Sequence, residues 1–144
     1  MGWSSLRAKI KAKLDALSPA TLGTVFDGAR NPQNLEVPLY PAVEIIRGGT
    51  NPDYFTNRQD MQTYIFTLHF YKPLTGDDWH TQELAMDSII DTVMQAFLDD
   101  PNLTGTADGR MLPIENSADV ISWNGKMHRR DTIILRCRQI TTMA

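Results

Sequence analysis

The chain has 144 residues, a formal net charge of −3 and a hydrophobic content of 42%, which suits one ordinary globular domain. The mildly acidic total gives no sign of a nucleic-acid-binding protein, and the single cysteine excludes an intramolecular disulfide. No apolar run approaches the ~20 residues that span a bilayer. The N-terminus lacks the apolar segment of a signal peptide, so we expect a protein made and used in the cytosol.

The first predicted element is an amphipathic helix that follows Ser4, its predicted cap, and ends near Ser18. Its apolar side chains recur every three or four residues: Leu6, Ile10, Leu14 and Leu17. The opposite side is basic and holds Arg7, Lys9, Lys11 and Lys13. This side is either the wet face of a helix packed on the domain or a row of cations that contacts nucleic-acid phosphates.

Two short strands are predicted next, over residues 21–27 and 42–47, and alternation places Val43 and Ile45 on one face of the second. A glycine pair then ends that strand.

A long polar loop is predicted over residues 48–60. It contains Tyr54, Phe55 and Arg58, which are residue types enriched in binding hot spots. Loops of this length in a compact domain are often functional. Either these three side chains bind a partner, or the two aromatic rings fold back onto the core.

The middle of the chain predicts a long strand followed by a long helix. The strand covers residues 62–71 and has one apolar face, formed by Tyr64, Phe66, Leu68 and Phe70. Asp77 or Asp78 can cap the helix, and Pro101 ends it. The apolar stripe of the helix is Met86, Ile90, Val93 and Phe97. Because each element buries its apolar side by packing on the other, we expect a helix lying on a sheet.

The C-terminal part predicts strands. Residues 111–114 and 120–123 can be extended, and Asn124-Gly125 is a strong hairpin signal before a strand over about 128–141. The outward side of that last strand holds Ile134, Arg136 and Arg138. An isoleucine beside two arginines indicates a face that meets a second subunit.

The order of all the predicted elements indicates a single α+β domain over 1–144, with a mainly antiparallel sheet of four to five strands and two helices packed on one face.

Residues with catalytic or metal-binding chemistry are few and scattered. His69, His80 and His128 make no metal-ligand spacing, and we expect each at the surface or an interface. Cys137 falls on the predicted core face, where a thiol behaves as a small hydrophobe. No nucleophile or nucleotide motif is present. We therefore expect no catalytic residue, cofactor or metal, although a small hydrolase that uses His80 and nearby aspartates stays an alternative.

The layout resembles the tail-terminator, or tail-completion, proteins of tailed bacteriophages over most of the chain. The elements that carry the resemblance are the first helix, the 41–46 and 64–71 strands, the 83–98 helix, and the 130–140 strand after the Trp123-Asn124-Gly125 hairpin. The family implies an α+β subunit of a hexameric ring in the virion. That ring caps the tail tube, stops its polymerisation and meets the head connector, while DNA passes through without specific binding.

A ring needs two unlike surfaces on each subunit. The candidates are the outward side of the last strand and the loop with Tyr54, Phe55 and Arg58. Arginines of these segments could pair with Glu83, Asp87 and Asp91 on a neighbour's central helix, which would set register more than affinity. The alternatives are another head–tail connector or neck protein and a nucleic-acid-binding module.

Overall fold

The computed structural model describes the backbone of residues 2–18, 21–28, 37, 40–56, 59–74, 79–103, 115–123 and 125–142, with side chains except in 51–56, 59–60 and 141–142. These ranges contain two helices and five strands: α1 (Trp3–Ala16), β1 (Thr24–Phe26), β2 (Ala42–Thr56), β3 (Gln59–Pro73), α2 (Trp79–Leu98), β4 (Glu115–Trp123) and β5 (Lys126–Thr142). Neither helix in this part of the chain is long and apolar enough to cross a membrane.

The five strands form one sheet in the order β1-β2-β3-β5-β4. Strand β1 runs parallel to β2 over three residue pairs, and all the other neighbours are antiparallel. The prediction of an α+β fold with a mainly antiparallel sheet is therefore confirmed.

One face of the sheet carries the main core. The strand register places Val43 beside Phe70 and Phe66 beside Leu135, as the alternation of apolar residues predicted. Both helices pack on this face through the stripes read from the sequence, and the buried helix residues are Leu6, Ile10, Leu14, Met86, Ile90, Val93 and Phe97. Because both helices pack on this face, neither of them covers the opposite face of the sheet.

Helix α1 begins earlier than predicted, and Ser4 does not cap it. Gly2 is the N-cap, with a φ of 106° and no side-chain cap hydrogen bond. Trp3 sets the start instead, because its ring meets Tyr64 and Phe66 edge to face at 5.0 and 5.1 Å and lies 4.4 Å from the Arg47 guanidinium. Aromatic packing of this kind stabilises the helix end in place of a cap.

The loop predicted over residues 48–60 is wrong for its described part. Strand β2 continues to Thr56 and β3 starts at Gln59, so the two long strands form one hairpin with a register shift next to Gly48. A Cβ at Gly48 would lie 2.8 Å from the backbone oxygen of Ile65, so only glycine allows this close approach. The segment is a strand despite its polar composition because its backbone pairs with β3, and β3 in turn pairs with β5 on its other side.

The C-terminal hairpin is confirmed. Trp123 pairs with Lys126, and Gly125 between them has a φ of 75°. Strand β4 begins at Glu115, five residues before the predicted start. The predicted extended segment 111–114 and the predicted caps Asp77 and Asp78 lie outside the described residues.

Candidate assembly surfaces

The open face of the sheet is the face opposite both helices. Its centre is aliphatic: Ile46, Thr67 and Ile134 are neighbours across β2, β3 and β5, and Ile65 lies next to them on β3. All four side chains are half-buried, and neither described helix covers them, since both pack on the other face. The structure thus places Ile134 on the outward side, as predicted.

The arginines predicted beside Ile134 share its face. Arg136 lies opposite Ile65 in the register, and its Nη1 donates to Oε1 of Glu115 at 3.0 Å. Arg138 lies two residues further along β5 and is half-buried. The open face therefore combines aliphatic side chains with two cations, and Arg136 forms an ion pair within its own chain.

A polar network occupies the next part of the open face. Glu44 is only 3% exposed and forms a hydrogen bond with the Tyr71 hydroxyl; burial first, and then this bond, raise the pKa of Tyr71. Arg130 forms a bidentate ion pair with Asp119 and lowers the pKa of that carboxyl through these hydrogen bonds. His69 bonds through Nδ1 to the Thr132 hydroxyl at 3.1 Å.

Sequence reasoning did not identify this network. Its members come from four strands, and only the register of the sheet brings them together. One signal was available, since Glu44 and His69 each have an apolar residue on both sides in the sequence.

His128 is buried, so the expectation of a surface or interface position is wrong for this histidine. Its ring lies 5.2 Å from Trp123, which stacks on Tyr71 at 4.0 Å. The Nδ1 atom lies 2.9 Å from the carbonyl oxygen of Lys126, so Nδ1 carries the proton, and Nε2 lies 3.3 Å from the Tyr40 hydroxyl. Burial lowers the pKa of His128. Aromatic packing from the same chain thus closes this end of the open face.

The exposed side of α2 is the second candidate surface. Glu83, Asp87 and Asp91 are all exposed, together with two large apolar residues, Leu84 at 55% and Leu98 at 40% exposure. Asp87 accepts a hydrogen bond from Arg129 of its own chain at 2.6 Å. Of the three predicted carboxylates, Asp87 thus has an arginine partner within its own chain.

Of the three predicted loop residues, two are described by their backbone alone. Tyr54 and Phe55 lie within strand β2, and their side chains, like the whole of Arg58, are outside the described residues.

The basic side of α1 is largely paired within the chain. Arg7 contacts Asp27 at 3.2 Å, Lys11 contacts Asp15 at 2.7 Å, and Lys13 contacts Asp100 at 3.1 Å. These carboxylates reduce the positive charge available to nucleic-acid phosphates.

The described residues contain no group of three histidine, cysteine or acidic side chains arranged to hold a metal ion. His80 is exposed at the start of α2. Cys137 is buried, and burial raises its pKa to about 12, so it is a thiol at neutral pH. Comparison with known protein families finds none that matches the chain, and no curated protein matches its sequence.

Proposed function

We propose that this chain is a structural subunit of a bacteriophage tail, which assembles into a ring, ends polymerisation of the tail tube and forms the surface that joins the head. The observation that carries the proposal is the difference between the two faces of the sheet. Both helices close one face, whereas the other presents half-buried isoleucines beside Arg136 and Arg138. On this account the protein acts by assembly and makes or breaks no bond.

Two unlike surfaces on one subunit are what a ring requires, because head-to-tail contacts close when the rotation between copies allows. The open face supplies aliphatic side chains with cations. The exposed side of α2 supplies the complement: Leu84, Asp91 and Leu98 follow at intervals of seven residues, which is about two helical turns, so they lie on one side of the helix. Leucines can pack on the isoleucines, while carboxylates meet the arginines and set the register.

The partners follow from this role. Copies of the chain form the ring, the tail tube protein meets one side of it, and a connector or neck protein meets the other. DNA passes through the ring, and a subunit with a net charge of −3 does not hold a polyanion tightly.

Native mass spectrometry with negative-stain electron microscopy tests the assembly. The proposal predicts one discrete closed oligomer, expected at six times the 16.2 kDa subunit mass. A chain that stays monomeric alone is measured again with tube ends present, and a monomer there contradicts the proposal. A closed ring that binds connector protein and ignores the tube would instead support the alternative role of a neck or connector component.

A further inference from the structure

Strand β4 is an edge of the sheet. It pairs with β5 on one side, and no strand in the described part of the chain pairs with it on the other. Alternate residues of such an edge direct their N–H and C=O groups away from the neighbouring strand, which makes a template for a further strand. β4 has nine residues, contains no proline and has an exposed side chain at each of its first six positions.

The charged side chains of β4, which would discourage the addition of a further strand, form ion pairs with arginines of β5. Native sheets commonly place charged residues on an edge to keep other strands away. The charged residues of β4 are Glu115 and Asp119, and each forms an ion pair with an arginine of β5, at 3.0 Å to Arg136 and 2.6 Å to Arg130. The other β4 side chains are uncharged, so the outer edge has little to repel a strand.

A groove of about 360 Å³ lies between this edge and the first half of α2. Its lining residues are Glu83, Asp87, Ala118, Asp119, Val120 and Arg129. Val120 is 43% exposed and lies opposite Arg129 in the register, on the helix side of the sheet. When a peptide adds to a sheet edge, alternate side chains enter pockets beside the edge and supply specificity. The groove is placed to receive those side chains.

Negative charge exceeds positive charge around this groove. One guanidinium, that of Arg129, is shared between Asp87 at 2.6 Å and Asp131 at 3.1 Å, and the exposed Glu83 carboxylate lies one helical turn from Asp87. Asp131 is 1% exposed. Its Oδ1 accepts a hydrogen bond from Nη2 of Arg129 at 3.3 Å, and its Oδ2 has no hydrogen-bond partner among the described residues. A cationic side chain in the groove would complement this excess.

We propose that the groove between β4 and α2 binds an extended segment of a partner protein as a sixth strand, with lysine or arginine on its groove-facing side. Backbone hydrogen bonds to β4 supply the affinity, and the carboxylates of the groove select for cations. The groove shares Glu83 and Asp87 with the exposed side of α2, but peptide binding to β4 is measured on the chain itself and does not depend on ring formation.

A synthetic peptide of alternating lysine and valine tests the proposal on the full chain. NMR titration at low ionic strength follows the backbone amides, and those of residues 115–123 should shift with saturable binding. A peptide with glutamate in place of lysine should bind about tenfold more weakly. A lysine peptide N-methylated at alternate residues should lose binding altogether, because it cannot complete the backbone ladder. Equal binding of all three peptides, or shifts confined to other elements, would overturn the proposal.

A matched pair of variants tests the selection for cations. Glu83→Gln should weaken binding of the lysine peptide about threefold, the range of one exposed ion pair, while Asp99→Asn, which makes the same charge change beyond the far end of α2, should not alter it. Equal effects of both variants would show only general attraction and contradict the proposal. Hydrogen-exchange protection, without any peptide, of the β4 amides that point away from β5 would also overturn it, because a second copy or another segment of this chain would then fill the groove.

Discussion

Arg130 of β5 donates two hydrogen bonds to Asp119 of β4, from Nε to Oδ1 at 3.0 Å and from Nη2 to Oδ2 at 2.6 Å. Bidentate pairs of this kind fix geometry as well as charge. The pair ties the edge strand to its neighbour on the open face, next to the hydrogen bond between Tyr71 and Glu44. The open face is therefore a surface with fixed side chains rather than a freely solvated one.

The first prediction concerns the pH dependence of this pair. Asp119→Asn should lower the free energy of unfolding by about 0.5 kcal/mol at pH 7, a small cost because the carboxylate is 48% exposed. Since Arg130 lowers the pKa of Asp119 below its usual 3.8, the stabilisation exists above that value and is lost as the pH falls through the lower folded-state pKa. Urea unfolding from pH 7 to pH 2 measures it, and a difference that persists at pH 2 would refute this origin.

The second prediction concerns His128. Burial lowers the pKa of His128 below its usual 6.5, so the folded state resists protonation and loses stability as the pH falls below 6.5. His128→Gln cannot gain this charge. At pH 8 the free energy of unfolding of the variant should be lower by about 1 kcal/mol, the cost of disturbing a hydrogen bond. This gap between the variant and the original protein should narrow towards pH 5. Chemical denaturation at both pH values checks this; a gap that widens would contradict it.

The third prediction compares two residues of α2. Phe97 is fully buried and Leu84 is 55% exposed. Phe97→Ala should destabilise the chain by about 3–5 kcal/mol because it leaves a cavity in the core. Leu84→Ala should change stability by less than about 0.5 kcal/mol but should weaken ring assembly. Thermal unfolding gives the first quantity and native mass the second. Intact assembly in Leu84→Ala would remove this leucine from the interface.

The fourth prediction uses the head-to-tail geometry. Ile134→Asp damages the open face, and Asp91→Lys damages the exposed side of α2. Each variant alone should fail to form rings. A mixture should stop at a dimer, because the intact α2 of the first variant fits the intact open face of the second, and the remaining surfaces are both damaged. Circular dichroism controls for folding. Rings in the mixture, or in either variant alone, would exclude this pair of surfaces.

The parts of the fold that were predicted depend on local periodicity. Period two in Phe66, Leu68 and Phe70 identified the core face of β3, and helical spacing from Met86 to Phe97 identified the buried side of α2. Both patterns can be read from residues that lie close together in the sequence. The same alternation placed Ile134 on the outward face of the last strand.

The parts that were missed depend on pairing between distant segments. The extension of β2 beyond Gly48 is stabilised by β3 and was hidden by its polar composition. His128 contacts Tyr40, which lies 88 positions earlier. The contacts of Arg130 with Asp119 and with Tyr71 depend on the register of three strands. Composition within a short window contains none of this information.

The most direct test of the proposed role measures the length of tail tubes. Purified tube protein of the same virion is polymerised with and without this chain, and lengths are read by electron microscopy. The account predicts shorter tubes with a ring at one end, and no such effect from Ile134→Asp. Unchanged tube lengths with bare ends, at a concentration where the chain is in excess over those ends, would contradict it.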